Sequence, residues 1–140
     1  MSCNHPAPQI LAVFPEPGFR AGLTVALRAR GLNVRTCSDS MRALAVLDHE
    51  SADLIVTALE MPPGNPHGFA LGLMAKYRRA SMRVLVLAEP QKIDPSTAEG
   101  AGIRVVGRPA TVADAAAIVT DMLDGAAPIG ATRTGEGSPQ

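Results

Sequence analysis

Three stretches of this chain are too apolar to face water on either side. Ile10 to Phe14, Leu54 to Val56 and Val84 to Leu87 run without a polar residue. A strand that needs cover on both faces belongs to a parallel sheet with helices above and below it. The segments between these runs supply the helices. Ile10–Phe14 stops at Pro15-Glu16-Pro17-Gly18, the punctuation of a loop at a strand end. A helix is predicted from Phe19 to Arg30, with Phe19, Leu23 and Leu27 on one face and Gly31 to end it. Leu32–Cys37 alternates like a partly exposed strand, and Ser38-Asp39-Ser40 offers N-cap chemistry to a helix through Met41, Leu44 and Leu47.

The pattern then repeats. A strand over 53–59 leads through a Pro/Gly-rich loop, Met61 to Gly68, into a helix over Phe69–Arg79, with Phe69, Leu73 and Tyr77 on one face. Arg83–Ala88 is the next strand. Pro90 and Pro95 leave room only for a short helix near Ser96–Ala101, which Gly102 ends. Ile103–Val106 is the last strand, and Val112–Leu123 the last helix, with Ala115, Ile118, Val119 and Met122 inward and Asp114 and Asp121 outward. The expectation is an α/β fold, a doubly wound five-stranded parallel sheet with helices on both faces, the fourth short or irregular. Residues 10–124 form that one domain, 1–9 a flexible lead-in, and 125–140, rich in Gly, Pro, Ser and Thr, a disordered tail too short and polar for an output domain. Ligands of such folds lie beyond the strand carboxyl ends, here after Phe14, Thr57, Leu87 and Val106.

Composition removes several functions. Thirteen basic and thirteen acidic side chains cancel, so no long-range positive field draws nucleic acid. With no Trp, one Tyr and three Phe, no aromatic platform for single strands is expected. Eleven of the thirteen cations are Arg, suited to bidentate interface contacts, although genomic codon bias produces the same excess. No apolar run approaches the ~20 residues of a membrane span, and Met1–Gln9 has neither the basic patch nor the apolar stretch of a signal peptide. Cys3 and Cys37 lie in no metal-ligand spacing. A reducing cytoplasm is the expected location, without membrane contact.

Residues for chemistry are scarce. No Gly-rich phosphate loop follows a strand, and no Ser/His/Asp or Cys/His grouping falls at a strand end. Cys3 and His5 are two ligands where a structural metal needs four. His67 is a surface-loop histidine with an outside chance of sensing pH or a ligand, and His49 ends the second helix, exposed. Cys37 reads as a small buried hydrophobe. The expectation is no enzyme, no metal and no cofactor.

In order and spacing the segments resemble the response-regulator receiver family, the CheY-like, flavodoxin-like phosphoacceptor domains of two-component signalling. Ile10-Leu11-Ala12-Val13, Asp53-Leu54-Ile55-Val56-Thr57 with Met61-Pro62, Gly68-Phe69 and Arg108-Pro109 carry the likeness, over residues 10 to 124. The resemblance implies a pocket in which acidic residues after the first strand and an Asp ending the third hold Mg²⁺, and that Asp takes the phosphoryl group. Here Phe14 and Pro15 stand at the acidic pair, with Glu16 behind them, and Ala58 stands at the phosphoacceptor. Ala88 replaces the Ser/Thr that reads the phosphate, Val105 the aromatic switch, and Arg108 the Lys. A slip of one residue restores no aspartate at the phosphoacceptor, because Thr57 and Leu59 are not acidic either, and neither Val13 nor Pro15, beside Phe14, is acidic.

The chain is therefore expected to be a stand-alone pseudo-receiver, a phosphorylation-independent module for a protein partner. The resemblance implies a sensor kinase, an output protein or a second copy, met on the side of helix four, strand five and helix five. The alternative is a small-molecule sensor whose emptied pocket is lined by Phe14, Ala58 and Ala88. Phosphotransfer through Glu60 or Thr57 is a distant third. A sharper reading has Glu16, Glu60 and Glu89 around the pocket forming an ion pair with Arg108 that locks one conformation, against the simpler expectation of solvated loop charges.

Overall fold

In a computed structural model, which describes residues 9–88, 94–109 and 111–125, the apolar runs become the inner strands of a sheet. β1 (Gln9–Val13), β2 (Asn33–Cys37), β3 (Leu54–Ala58), β4 (Arg83–Leu87) and β5 (Ile103–Val106) alternate with α1 (Pro17–Arg28), α2 (Ser40–Leu47), α3 (Gly68–Arg78), α4 (Pro95–Ala101) and α5 (Val112–Gly125). All neighbouring strands are parallel, in the order β2-β1-β3-β4-β5. The fold is the expected doubly wound one. Expectations for residues 1–8 and 126–140, and those for Cys3, His5 and Glu89, lie outside the described residues.

The unbroken apolar runs have a direct cause. Ile10, Ala12 and Phe14 turn to one face of the sheet, where they meet Leu23 and Leu27 of α1 and Ala115, Ala116 and Val119 of α5. Leu11 and Val13 turn to the other, where α2 and α3 supply Ala43, Leu71 and Ala75. Farther along that second face Val84, Val86 and Ile103 pack with Phe69 and with Ala98 of α4. β2 lies at the edge, with Val34 and Cys37 buried and Asn33, Arg35 and Thr36 exposed, so the expected alternation breaks at Thr36.

The helix ends follow local chemistry. Asp39 caps α2 by accepting from the Arg42 amide at 2.9 Å, Asp94 caps α4 through the Ser96 amide at 3.1 Å, and Gly102 closes α4 in the left-handed conformation, φ 74°. α1 begins two residues before the expected Phe19, because Pro17 at the first helical position has its ring-locked φ preset and no amide to satisfy.

The expected face of α3 is corrected. Phe69 is buried, but Leu73 and Tyr77 point to water, and the helix seats itself through Gly68, Leu71, Gly72 and Ala75. Two of those are glycines because the backbone comes so close: a Cβ at Gly68 would sit 2.0 Å from the Ala58 carbonyl oxygen, and one at Gly72 would sit 2.7 Å from Val84 Cγ1. Met41 is likewise exposed, and α2 buries Ser40 and Ala43 instead.

Gly68→Ala forces backbone against backbone where nothing flexible can yield, and is expected to lower unfolding stability by about 1–3 kcal/mol, the usual cost of overpacking. Urea denaturation of wild type and variant measures it; an unchanged midpoint would contradict the close approach of α3 to β3.

Candidate functional site

The strand order reverses between β1 and β3, and the loops leaving their carboxyl ends diverge there to open a crevice. The cleft found at that point is lined by Glu16, Ala58, Leu59, Glu60, Leu87, Ala88 and Arg108, and encloses about 150 Å³. Five of the positions singled out in sequence therefore do converge: Glu16, Glu60, Ala58, Ala88 and Arg108.

Phe14 does not line it, which corrects the expectation of an apolar crevice walled by that ring. Its side chain is fully buried among the residues beneath α1 and α5. β1 still pairs with β2 at this point, through the Phe14 amide to the Cys37 carbonyl at 3.1 Å, and this continuation of the strand turns the ring inward. Val105 is half-buried against the cluster of Val84, Val86 and Phe69 on the opposite face. Thr57 is fully buried, its hydroxyl donating to the Ala58 carbonyl at 2.8 Å, so it does not present a nucleophile to the cleft.

The dominant feature is the Arg108 guanidinium. It donates from Nη1 and Nη2 to the two carboxylate oxygens of Glu16, at 3.2 and 3.1 Å, and stacks 4.5 Å from the Phe19 ring centroid and 5.4 Å from that of Phe14. The two rings contact each other at 4.8 Å. A planar cation is thus held on its edge by a carboxylate and on its face by aromatic rings, a combination that Arg offers and Lys does not. The ion pair between Arg108 and a glutamate at the crevice forms, with Glu16 as the partner. Glu60 lies on the cleft wall.

Sequence reasoning missed Phe19, which it placed only on the inner stripe of α1, and Arg20, whose Nη1 donates to the Phe14 carbonyl at 2.7 Å. No local signal marks either, since their partners come from other elements. It also missed how the β3–α3 loop is tied. Buried Ser40 donates to the Pro66 carbonyl at 2.7 Å, Asn65 Oδ1 accepts from the Met41 amide at 3.0 Å, and exposed His67 caps α3 by accepting at Nδ1 from the Ala70 amide at 3.1 Å. His49 is exposed beyond α2, and Cys37 is a buried free thiol whose pKa is pushed up by burial.

A divalent cation of the Mg²⁺ type needs a near-octahedral set of oxygens. Of the groups at this crevice, the Glu16 carboxylate is taken up by Arg108 and the Phe14 carbonyl by Arg20, Ala58 has no side-chain oxygen, and Glu60 adds a single carboxylate. The donors present do not fit the ion. Among the described residues no group of three or more His, Cys, Asp or Glu gathers as a metal would require. The cleft is also below the roughly 300–1,000 Å³ of ordinary small-molecule sites.

No protein-family model matches the sequence, and no curated protein matches it. Solved structures match the fold throughout: the structural neighbours are CheY-like response-regulator receiver domains. Chemotaxis response regulator CheY4 of Vibrio cholerae is 20% identical with a TM-score of 0.69, over 84% of this chain and 98% of that one. A CheY-like receiver domain protein from Methanospirillum hungatei gives 19%, 0.73, 84% and 94%. The response regulator TrrA from Thermotoga maritima, in complex with Mg²⁺ and BeF, gives 19%, 0.70, 82% and 98%. The fold of this chain is the flavodoxin-like receiver fold. No helix among the described residues is long and apolar enough to cross a membrane.

The Arg108 hydrogen bonds hold the Glu16 carboxyl below its ordinary pKa of 4.5. The ionised form is the one the folded state prefers, so the pair's contribution is fully present above pH 4.5 and is lost as pH falls through the lower folded value. Both side chains are partly exposed, at 54% and 34%, which limits the pair to about 1 kcal/mol or less. Melting of wild type and Glu16→Gln should therefore differ by a small margin at neutral pH and converge in acid; curves that stay parallel to pH 3 would refute the pairing.

Proposed function

We propose that this chain is a receiver-fold module of two-component-type signalling that engages a protein partner without being phosphorylated on aspartate. The observation that carries the proposal is Ala58. It ends β3, next to the switch point, and leaves neither nucleophile nor metal ligand where the resemblance calls for both. Support comes from the surroundings: Glu16 is spent on Arg108, and Ala88 offers no hydroxyl to read a phosphate. Neither Ala58 nor Ala88 gives the cleft a nucleophile, and the module is read as acting by binding and not by catalysis. It acts in the cytoplasm, on a sensor kinase, an output protein or a second copy of itself.

The Arg108–Glu16 pair takes over the mechanical duty of an occupied pocket. It ties the loop after β1 to the loop after β5 across 92 residues of sequence, and its stack on Phe19 extends the tie to α1. Such a domain holds one arrangement, which suits recognition that does not wait for a chemical signal.

Incubation with acetyl phosphate and Mg²⁺, followed by intact mass measurement, is expected to leave the chain unmodified, with an intact receiver as the positive control. A stable or transient phosphate adduct on this chain would end the proposal. Arg108→Lys keeps the charge but loses the fork and much of the stack, and should lower stability by about 1 kcal/mol; differential scanning calorimetry at neutral pH reads the loss.

A further inference from the structure

α3 is apolar on both of its faces, although only one of them is covered. The covered face is Gly68, Leu71, Gly72 and Ala75. The opposite side carries Leu73, Met74 and Tyr77, exposed to 44%, 42% and 93%. The only other large apolar side chains exposed among the described residues are Val25 and Met41, and Met41 belongs to α2, which packs beside α3. None falls on α4, β5 or α5. Three of the five exposed large apolar side chains among the described residues thus share one helix face, and grouping of this kind is a feature of interaction surfaces.

The charge on α3 itself has one sign. α3 contains no carboxylate, and its last turn and C-cap bear Lys76, Arg78 and Arg79. Arg78 meets Asp48 of α2 at 3.1 Å. Lys76 donates to the Ala80 and Met82 carbonyls, and Arg79 to the Ser81 hydroxyl and the Ala52 carbonyl; these neutral oxygens orient the cations without cancelling them.

We infer that the outer face of α3 docks an amphipathic helix of a partner protein, one whose apolar stripe is flanked by carboxylates. The inference rests on the protein-binding function proposed above and names its surface. Leu73, Met74 and Tyr77 offer the row of anchors over which an apolar helix stripe lies, and Lys76 and Arg79, whose printed partners are neutral oxygens, select for acid on its flank, Arg78 being already paired with Asp48. A second copy of this chain is a poor occupant. Set antiparallel, two α3 helices would bring their cationic ends to each other's positive dipole end; set parallel, they would bring cation to cation. A lipid surface is poorly served by a patch in which two of three side chains are more than half covered and the whole chain has net charge zero.

The full chain, labelled with ¹⁵N, is titrated with a synthetic amphipathic helix that has a leucine stripe flanked by glutamate and contains no Tyr or Trp. The chain's one tyrosine is Tyr77 and it has no Trp, so its intrinsic fluorescence reports this face alone. Saturable amide shifts confined to α3 and α2, with a matching fluorescence change, are expected. Affinity should fall roughly tenfold with Tyr77→Ser or Met74→Ser, as for anchor residues, while their melting temperatures stay near wild type because both side chains lie at the surface. The same peptide with lysine for glutamate should bind at least as weakly as those variants do to the acidic one. The inference is overturned by no saturation, by equal binding of the lysine peptide, by self-association that Tyr77→Ser abolishes, or by binding to phosphatidylglycerol vesicles in preference to the peptide. Shifts on α4, β5 and α5 would overturn this surface while leaving the protein-binding function intact; a phosphate adduct in the acetyl phosphate experiment would remove that function instead.

Discussion

The demand of β1, β3 and β4 for apolar cover on both faces is the constraint from which the rest follows. Their residues alternate between a layer built by α1 and α5 and a layer built by α2, α3 and α4, so neither layer can be left open. Parallel pairing obliges every connection to cross over the sheet, which is why each strand is followed by a helix. The reversal of strand order beside β1 then places the ends of β1 and β3 at a crevice, whatever residues stand there. The fold makes the site before side chains give it a chemistry.

What occupies that crevice is an internal salt bridge with aromatic support. Arg108 reaches over from the loop after β5 to a carboxylate and two rings that belong to the loop after β1 and to α1. An exposed pair alone contributes little; the stack gives it a fixed plane, and Phe14 can take part because its ring is turned into the core. The arrangement satisfies the donors locally and leaves little volume, which argues for a structural duty at this crevice. The surplus of apolar surface lies elsewhere, on the outside of α3, and recognition is better sought there than at the strand ends.

Much of this was legible in the sequence. Continuous apolar runs of strand length mark buried parallel strands, and β5 and the start of α5 fall at the expected residues. Asp39 and Gly102 announced their caps through residue type. The face of α3 was not legible, because leucine, methionine and tyrosine fit an inward stripe on hydrophobicity alone. The helix instead turns its glycines to the sheet, since only they admit the backbone of β3 and the side chain of Val84 so near. Phe14 was misplaced for a related reason: the resemblance marked it as a pocket residue, but strand pairing that runs through Phe14 set its direction.

Residue identity alone determined that this chain carries hydrocarbon at Ala58 and Ala88, since a missing oxygen is a property of the side chain and needs no coordinates. It determined the layered fold as well, because burial on both faces writes itself into local composition. Only the tertiary structure decided which distant groups meet. Glu16 and Arg108, and the ring of Phe19 beneath them, are joined by the winding of five strands, and such a meeting depends on distances that sequence separation does not encode.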